Sequence, residues 1–137
     1  MVAKFAKYRK VRADGVATRG TSLEFGKVGL KAIVCGKITK KQIESARVVV
    51  NRACGKRGRF FIRKNVFFPV TRKPLEVRMG GGKGSVDFYV AAVKKGSILF
   101  EIDNVPLDVA VSALKKANYK LNIDCKIVFR RFVKLLG

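Results

Sequence analysis

Arg78-Met79-Gly80-Gly81-Gly82-Lys83-Gly84-Ser85 is the segment around which we interpret the rest of the chain. Half of its eight residues are glycine and two are cationic, so it offers almost no apolar side chain to a core. Glycine also loses the most backbone freedom when it becomes ordered. We therefore expect residues 78–85 to form an exposed loop whose bare backbone can approach a polyanion. The remainder is expected to be a basic domain that anchors this loop.

The glycine-rich segment matches neither of two common phosphate-binding motifs. In a P-loop, the lysine is followed directly by a serine or threonine that holds a metal, but here Gly84 follows Lys83 and Ser85 comes one place late. The dinucleotide pattern G-x-G-x-x-G fails because Asp87 occupies its last position. A predicted strand, 86–90, follows the loop, so no helix N-terminus is offered to a pyrophosphate. Two interpretations remain: a mobile hairpin tip, or a loop that contacts a phosphate backbone.

Composition favours a nucleic-acid partner. The 137 residues include 31 lysines and arginines against 9 acidic residues, a net charge of +22. Such a charge repels itself unless a polyanion neutralises it, and nucleic acid is the usual partner. Residues 1–85 hold most of the excess, with 22 basic and 4 acidic residues, whereas residues 86–128 are nearly balanced. A membrane partner is the weaker interpretation, because the chain has neither a long basic amphipathic helix nor an apolar run of about 20 residues.

The residue types present exclude several classes of enzyme. The chain has no histidine, which excludes Ser-His-Asp and Cys-His catalysis and most zinc sites. Cys35, Cys54 and Cys125 are dispersed and form no C-x-x-C pair, so we interpret them as free thiols in a reducing compartment. We expect no cofactor, no metal and no enzymatic activity. The Lys/Arg-rich start of the chain leaves a transit peptide open on composition alone.

The spacing of apolar residues predicts one α+β domain over residues 1–137. A first helix begins at the capping box Thr39-x-x-Gln42 and ends near Gly55, with Ile43 among its core-facing residues. A second helix begins at Pro106. Strands are predicted at 22–25, 30–35, from 60 onward, 86–93, 97–102 and 125–133. The two strands that flank Lys94-Lys95-Gly96 are expected to form a hairpin.

Cations outside the loop are the candidate RNA contacts. In the basic arm, residues 1–20, they alternate with Phe5 and Tyr8, which could stack on a base; the alternative is a frayed, solvated tail. On the first helix, the overall charge favours phosphate contacts over a merely solvated face. Four clustered phenylalanines, at 60, 61, 67 and 68, are assigned to the core rather than to base stacking. The candidate contacts are Lys4, Lys7, Arg9, Lys10, Arg12, Arg19, Arg47, Arg52, Lys56, Arg57 and Arg59.

Several ordered segments at consistent spacing resemble the bacterial-type large-subunit ribosomal protein L16 family along almost the whole chain. The most specific is the run Pro69-Val70-Thr71-Arg72-Lys73-Pro74-Leu75-Glu76-Val77-Arg78-Met79-Gly80, which continues to Gly82-Lys83-Gly84. The shorter matches are Lys4-Phe5 with Arg9-Lys10, Phe25-Gly26 with Gly29-Leu30-Lys31-Ala32, Thr39, Gln42-Ile43-Glu44 with Ala46-Arg47, Ile62-Arg63, Glu101-Ile102 and Val105-Pro106.

The resemblance implies an α/β-hammerhead-like fold, with a mixed or antiparallel sheet, two helices, the basic arm and a protruding loop. It implies binding to large-subunit rRNA by the basic candidates above, and a loop that reaches tRNA near the peptidyl-transferase region. The expected partners are this rRNA, tRNA and other large-subunit proteins; we expect no membrane partner and no homo-oligomer. The expected location is the cytoplasmic ribosome of a bacterium, with an organellar ribosome as the alternative. The implied loop residues are Arg78, Met79, Gly80, Gly81, Gly82, Lys83 and Gly84.

Two details of the family bear on this chain. The loop arginine, here Arg78, is a hydroxylation target in part of the family, and Gly81 stands where the family usually has a second lysine. The match of the arm to the mature family N-terminus argues against a cleaved transit peptide. The competing functions are a nucleotide-binding or phosphoryl-transfer enzyme that uses 80–84, and a free-standing RNA chaperone.

Overall fold

A computed structural model of the chain describes residues 7, 9–10 and 12–130. Within these residues it contains seven strands and two helices. The elements are β1 Val28–Ala32, β2 Gly36–Thr39, α1 Lys40–Cys54, β3 Arg59–Ile62, β4 Phe68–Arg72, β5 Ser85–Val93, β6 Ile98–Asp103, α2 Leu107–Asn118 and β7 Cys125–Phe129. Lys4, Phe5, Tyr8 and the end of the strand predicted at 125–133 lie outside the described residues.

The strands form two antiparallel sheets. One has four strands in the order β3-β6-β1-β7, and the other has three in the order β2-β5-β4. The predicted α+β class, with two helices and antiparallel sheet, is therefore confirmed. β6 is buried from Ile98 to Ile102, as expected of a strand that lies inside its sheet.

The predicted hairpin between β5 and β6 is wrong. β5 pairs with β2 and β4, whereas β6 pairs with β1 and β3, so the two strands lie in different sheets. The turn itself exists: Ser97 N–H donates to the Lys94 carbonyl at 3.1 Å, and Gly96 has a φ of +91°. Gly96 N–H, however, donates to the Ala32 carbonyl at the end of β1, which directs the chain into the four-stranded sheet. A turn motif in the sequence indicates that the chain changes direction, but it does not indicate which strands pair with the two strands that flank the turn.

Three other strand predictions need correction. Residues 22–25 form no strand, and the N–H groups of Glu24 and Phe25 donate instead to a buried carboxylate described below. The strand predicted over 30–35 ends at Ala32, and β2, which was not predicted, follows as the chain crosses to the other sheet. The strand region predicted from residue 60 onward is interrupted: β3 ends at Ile62, and the segment between Pro69 and Pro74 contributes most of a separate strand, β4.

Both helices form as their local sequence predicts. Thr39 Oγ1 accepts the Gln42 N–H at 3.3 Å, and Gln42 Oε1 accepts the Thr39 N–H at 3.0 Å, which completes the capping box. Gly55, with a φ of +69°, ends α1. α2 begins at Leu107, one residue later than predicted, with Pro106 in the cap position.

The core lies between these helices and the sheets. On α1 the buried residues are Ile43, Ala46 and Val50, as predicted from their helical spacing. The corresponding α2 residues are Ala110, Ala113, Leu114 and Ala117. The four clustered phenylalanines are all half-buried, and Phe60 packs against buried Phe100 with ring centroids 5.1 Å apart. The core assignment is thus confirmed for Phe60, which packs against the core cluster. Phe61 stacks on Phe25, and Phe67 and Phe68 contact each other.

Candidate nucleic-acid interface

The glycine-rich segment is part of a long loop between two paired strands. β4 ends at Arg72 and β5 begins at Ser85, and these two residues face each other in the ladder. The two arms of the loop approach so closely that a Cβ on Gly84 would lie 2.9 Å from the Arg72 carbonyl carbon and oxygen. Gly80, Gly81 and Gly82 have φ values of +97°, +78° and +94°, which only glycine adopts readily in succession. The base of the loop is therefore narrow, and its tip requires glycine.

The loop exposes apolar side chains as well as cations. Arg78 is exposed, and Met79 and Leu75 are 101% and 95% exposed. Val77, between them, is 54% exposed. Met79 was among the predicted loop residues, whereas Leu75 and Val77 were not. The sequence feature that indicates them is the presence of two apolar residues between Pro74 and the glycine run. A loop with bare aliphatic groups beside cations can contact bases or riboses as well as phosphates.

Two lysines outside the glycine run donate to its backbone. Lys73 Nζ donates to the Gly80 carbonyl at 2.5 Å. Lys7 Nζ, in the arm, donates to the Lys83 carbonyl at 3.3 Å. The structure therefore brings together the arm and the loop, which are 76 residues apart in sequence. Sequence reasoning did not predict this contact, and it did not include Lys73 in the site.

The second half of the arm lies against the body of the protein. Ala17 N–H donates to the Lys95 carbonyl at 2.9 Å, and Cys35 Sγ donates to the Gly15 carbonyl at 3.1 Å. The predicted arm cations that the structure describes are all exposed; they are Lys7, Arg9, Lys10, Arg12 and Arg19. From Gly15 onward, the arm is thus attached to the surface, and its cations remain accessible.

The remaining predicted cations gather around the end of α1 and the start of β3. Arg52, Lys56, Arg57 and Arg59 are exposed there. Asn104 Nδ2 donates to the Arg57 carbonyl at 2.8 Å and so ties the turn to the chain after β6. These four cations form a short basic ridge, which we call the α1–β3 ridge.

Arg47 differs from the other candidates on α1. Its guanidinium donates twice to the Glu44 carboxylate, at 2.5 and 3.0 Å, one turn earlier on the helix. This hydrogen bond lowers the pKa of Glu44 and raises the pKa of Arg47. A phosphate at Arg47 must therefore share the guanidinium with a carboxylate, unlike one at the α1–β3 ridge.

A buried carboxylate holds the segment that links the arm to β1. Glu101, on β6, is fully buried and accepts the N–H groups of Glu24 at 3.3 Å and of Phe25 and Gly26 at 2.7 Å. It also accepts a hydrogen bond from the Arg63 guanidinium, and we call this set the Glu101 anchor. Burial raises the pKa of Glu101, but the hydrogen bonds outweigh it and the net pKa is lowered.

Arg63 is held within the anchor rather than presented to RNA. Its guanidinium lies 3.6 Å from the Glu24 carboxylate and 5.2 Å from the centroid of the Phe25 ring. Phe25 in turn stacks on Phe61 at 5.5 Å. Glu24, whose side chain is 58% exposed, is thus a surface carboxylate paired with Arg63. The sequence signal for Glu101 was a single acidic residue inside an otherwise apolar strand, Ile98–Ile102.

In the described part of the chain, Cys54 and Cys125 are not activated thiols, and there is neither a metal-binding cluster nor a membrane-spanning helix. Burial, with a smaller effect of Asp124, raises the pKa of the Cys125 thiol to about 12, and burial also raises the pKa of Cys54. Neither thiol is therefore an activated nucleophile. Residues 7, 9–10 and 12–130 contain no group of three His, Cys, Asp or Glu side chains arranged for a metal ion. In the same residues, neither helix has the length and apolar character needed to cross a bilayer.

Comparison with known proteins agrees with the resemblance read from the sequence motifs. The family model described as ribosomal protein L16p/L10e matches residues 3–128. The large ribosomal subunit protein uL16 of Rhodospirillum rubrum is 46% identical over 127 residues, which cover 93% of this chain and 92% of that protein. The match extends from the arm to β7 and includes the loop and the Glu101 anchor. The chain therefore belongs to the ribosomal protein L16p/L10e family.

Proposed function

We propose that the chain binds large-subunit rRNA through its arm and the α1–β3 ridge, and contacts tRNA near the peptidyl-transferase region through the loop. Membership of the family makes it a structural constituent of the large ribosomal subunit, with rRNA and other ribosomal proteins as its neighbours. The observation that carries the finer proposal is the loop itself. The loop leaves the sheet where β4 and β5 approach closely. It exposes Arg78 beside three glycines and beside the apolar side chains of Leu75, Val77 and Met79.

The chemistry of the two surfaces differs, which supports two roles. The arm and ridge offer exposed Lys and Arg side chains on an anchored framework, suited to phosphate contacts that position a protein without reading sequence. The loop offers few cations and several glycines whose backbone is not covered by side chains. Its contact with tRNA is therefore short-ranged and depends on the shapes of the two surfaces. Because Lys7 donates to the Lys83 carbonyl, the arm can order the loop when it binds rRNA.

We place the protein in the cytoplasmic ribosome of a bacterium, as one copy without homo-oligomerisation and without catalytic activity of its own. The similarity to a protein of a bacterial ribosome supports this placement. Cosedimentation tests it: the protein should remain with purified large subunits through a moderate salt wash. Release into the free fraction would favour an RNA chaperone instead.

Removal of residues 1–12 is expected to weaken the salt dependence of rRNA binding. The deletion removes five cations, Lys4, Lys7, Arg9, Lys10 and Arg12. Each phosphate neutralised contributes about 0.7–0.9 to the slope of log K against log salt, so the slope should fall by up to about 4 units. The measurement is binding of the purified chain to purified large-subunit rRNA across a salt series. An unchanged slope would show that the arm is a free tail.

The double substitution Arg78→Ala with Lys83→Ala tests the role of the loop. The loop adds no side chain to the core, so the variant should fold and enter large subunits, while the affinity of those subunits for tRNA decreases. The deficit should shrink at high salt, where the contact is already screened. If the contact is bidentate, Arg78→Ala alone should lower the affinity for tRNA more than Lys83→Ala alone, because only the guanidinium offers a planar fork.

The matched control is Lys115→Ala with Lys116→Ala, which removes the same charge from the exposed last turn of α2. Subunits that carry the control should bind tRNA normally. If the loop variant fails to enter subunits, yet binds tRNA normally once incorporated at high protein excess, the loop is an assembly anchor and the tRNA contact is not its role.

A further inference from the structure

A groove of about 880 Å³ lies beside the loop, between the start of α1 and the start of β5. Residues 39–41, Glu44 and Ser45 line one wall, and residues 87–89 line the other. The second wall follows directly after the glycine-rich loop, so the groove adjoins the proposed tRNA contact. The residues that line the groove belong neither to the proposed rRNA surface nor to the loop.

One wall of the groove is an open strand edge. β2 pairs with β5 only from Val90 to Val93, because the chain enters α1 at Lys40. Residues 85–89 of β5 pair with β4 on one side and, in the part of the chain that the structure describes, with no strand on the other. Such an edge presents unpaired backbone N–H and C=O groups, to which another extended chain can add.

Two aromatic side chains are exposed at this edge. Phe88 and Tyr89 are consecutive on β5 and are 41% and 39% exposed. The ladder contains a bulge here, since Phe88 pairs with Val70 while Val86 pairs with Thr71 and leaves Asp87 without an opposite residue. Bulges re-aim side chains at strand edges. Exposed aromatic residues are enriched at protein–protein interfaces.

The polar groups of the groove argue against a phosphate ligand. Among its lining residues, Lys40 and Lys41 are matched in number by Glu44 and Asp87, although Glu44 also accepts the Arg47 guanidinium and the chain as a whole carries +22. At the helix start, the Gln42 N–H already donates to Thr39 Oγ1. Ser45 Oγ likewise donates to the Lys41 carbonyl at 2.9 Å. A groove whose lining charges nearly cancel suits a polypeptide better than RNA.

We propose that an extended segment of a second large-subunit protein occupies this groove and adds as a strand to β5 along residues 85–89. The proposal deepens the proposed function, on which it rests, by naming the class of partner at this face. Five residues of strand span about 17 Å at the usual rise per residue. The added segment forms main-chain hydrogen bonds to the open edge. Because successive side chains of a strand point to opposite faces, apolar side chains on one face of the segment pack against Phe88 and those on the other face against Tyr89.

The test is photocrosslinking in assembled large subunits. Phe88 is replaced by p-benzoylphenylalanine, an aromatic residue that a half-exposed position accommodates, and Tyr89 is replaced likewise in a second variant. After irradiation, each should yield a covalent adduct that survives nuclease and is destroyed by protease, with peptides from another ribosomal protein identified by mass spectrometry. The matched control places the same photoreactive residue at Arg57, on the α1–β3 ridge, where the adduct should be rRNA.

Each outcome decides between the proposals. A nuclease-sensitive adduct from both groove positions, a crosslink to a second copy of this chain, or no adduct from either position overturns the assignment of the groove. Failure of the Arg57 position to crosslink rRNA instead contradicts the proposed rRNA surface, whatever the groove positions show.

Discussion

Replacement of Glu101 by alanine is expected to lower the free energy of unfolding by about 3–5 kcal/mol, the typical cost of breaking a buried ion pair from one side. The substitution would leave the Arg63 guanidinium without its buried partner. It would also strip the N–H groups of Phe25 and Gly26 of their acceptor. A small domain has only about 5–15 kcal/mol of stability in total, so much of the variant should be unfolded under mild conditions.

Chemical denaturation of the purified chain, followed by far-UV circular dichroism, measures this loss. The matched control is Glu24→Ala, which removes the second carboxylate near Arg63; its side chain is 58% exposed and lies 3.6 Å away. An exposed pair of this kind contributes about 0–1 kcal/mol. Equal losses for the two variants would show that the Glu101 anchor contributes no more than a surface ion pair.

The anchor also predicts how stability depends on pH. The pKa of Glu101 is lower in the folded chain than in the unfolded chain, where a glutamate titrates near about 4.3. Its contribution is therefore complete at pH values above this unfolded pKa, and is lost as the pH falls through the lower, folded value. Below about pH 4, the difference in stability between the natural chain and Glu101→Gln should narrow. A difference that stays constant from pH 7 to pH 3 would contradict the lowered pKa.

Ile43→Asp is expected to unfold the protein, and it is the second substitution with a large predicted effect. Ile43 is 7% exposed and belongs to the core cluster between the helices and sheets. Removal of such a side chain alone costs about 2–5 kcal/mol, and an unpaired carboxylate in its place adds a desolvation penalty. Lys41→Ala, two residues earlier on the exposed face of α1, should change stability by only about ±0.5 kcal/mol.

Thermal melting of the two variants, followed by far-UV circular dichroism, separates these outcomes. The natural chain and Lys41→Ala should show the same cooperative transition, whereas Ile43→Asp should show none or one at a much lower temperature. Similar melting of both variants would mean that α1 does not bury the face that contains Ile43.

The candidate site was predictable where it depends on residues that are close in sequence. The glycine run and its cations predicted the exposed loop, and the charge of residues 1–85 predicted which part of the chain carries accessible cations. The pairing of Arg47 with Glu44 and the roles of Lys7 and Lys73 beside the loop were not predicted. The Arg47–Glu44 and Lys73–Gly80 contacts join residues that are close in sequence, but a long cationic side chain can reach more than one acceptor. The Lys7–Lys83 contact joins distant parts of the chain.

By itself, the sequence determined both helices, the α+β class, the exposed loop and the family, because capping boxes, apolar spacing, glycine runs and ordered motifs are local. Only the tertiary structure decided that β5 and β6 belong to different sheets, since a turn does not specify which strand pairs with which. It also decided that Glu101 is the acceptor for residues 24–26 and that the arm meets the loop. The hydrogen bonds of residues 24–26 to Glu101 and of Lys7 to Lys83 join residues 75 to 77 positions apart. Such partners, like the partners of a strand, are chosen by the packing of the whole chain rather than by neighbouring residues.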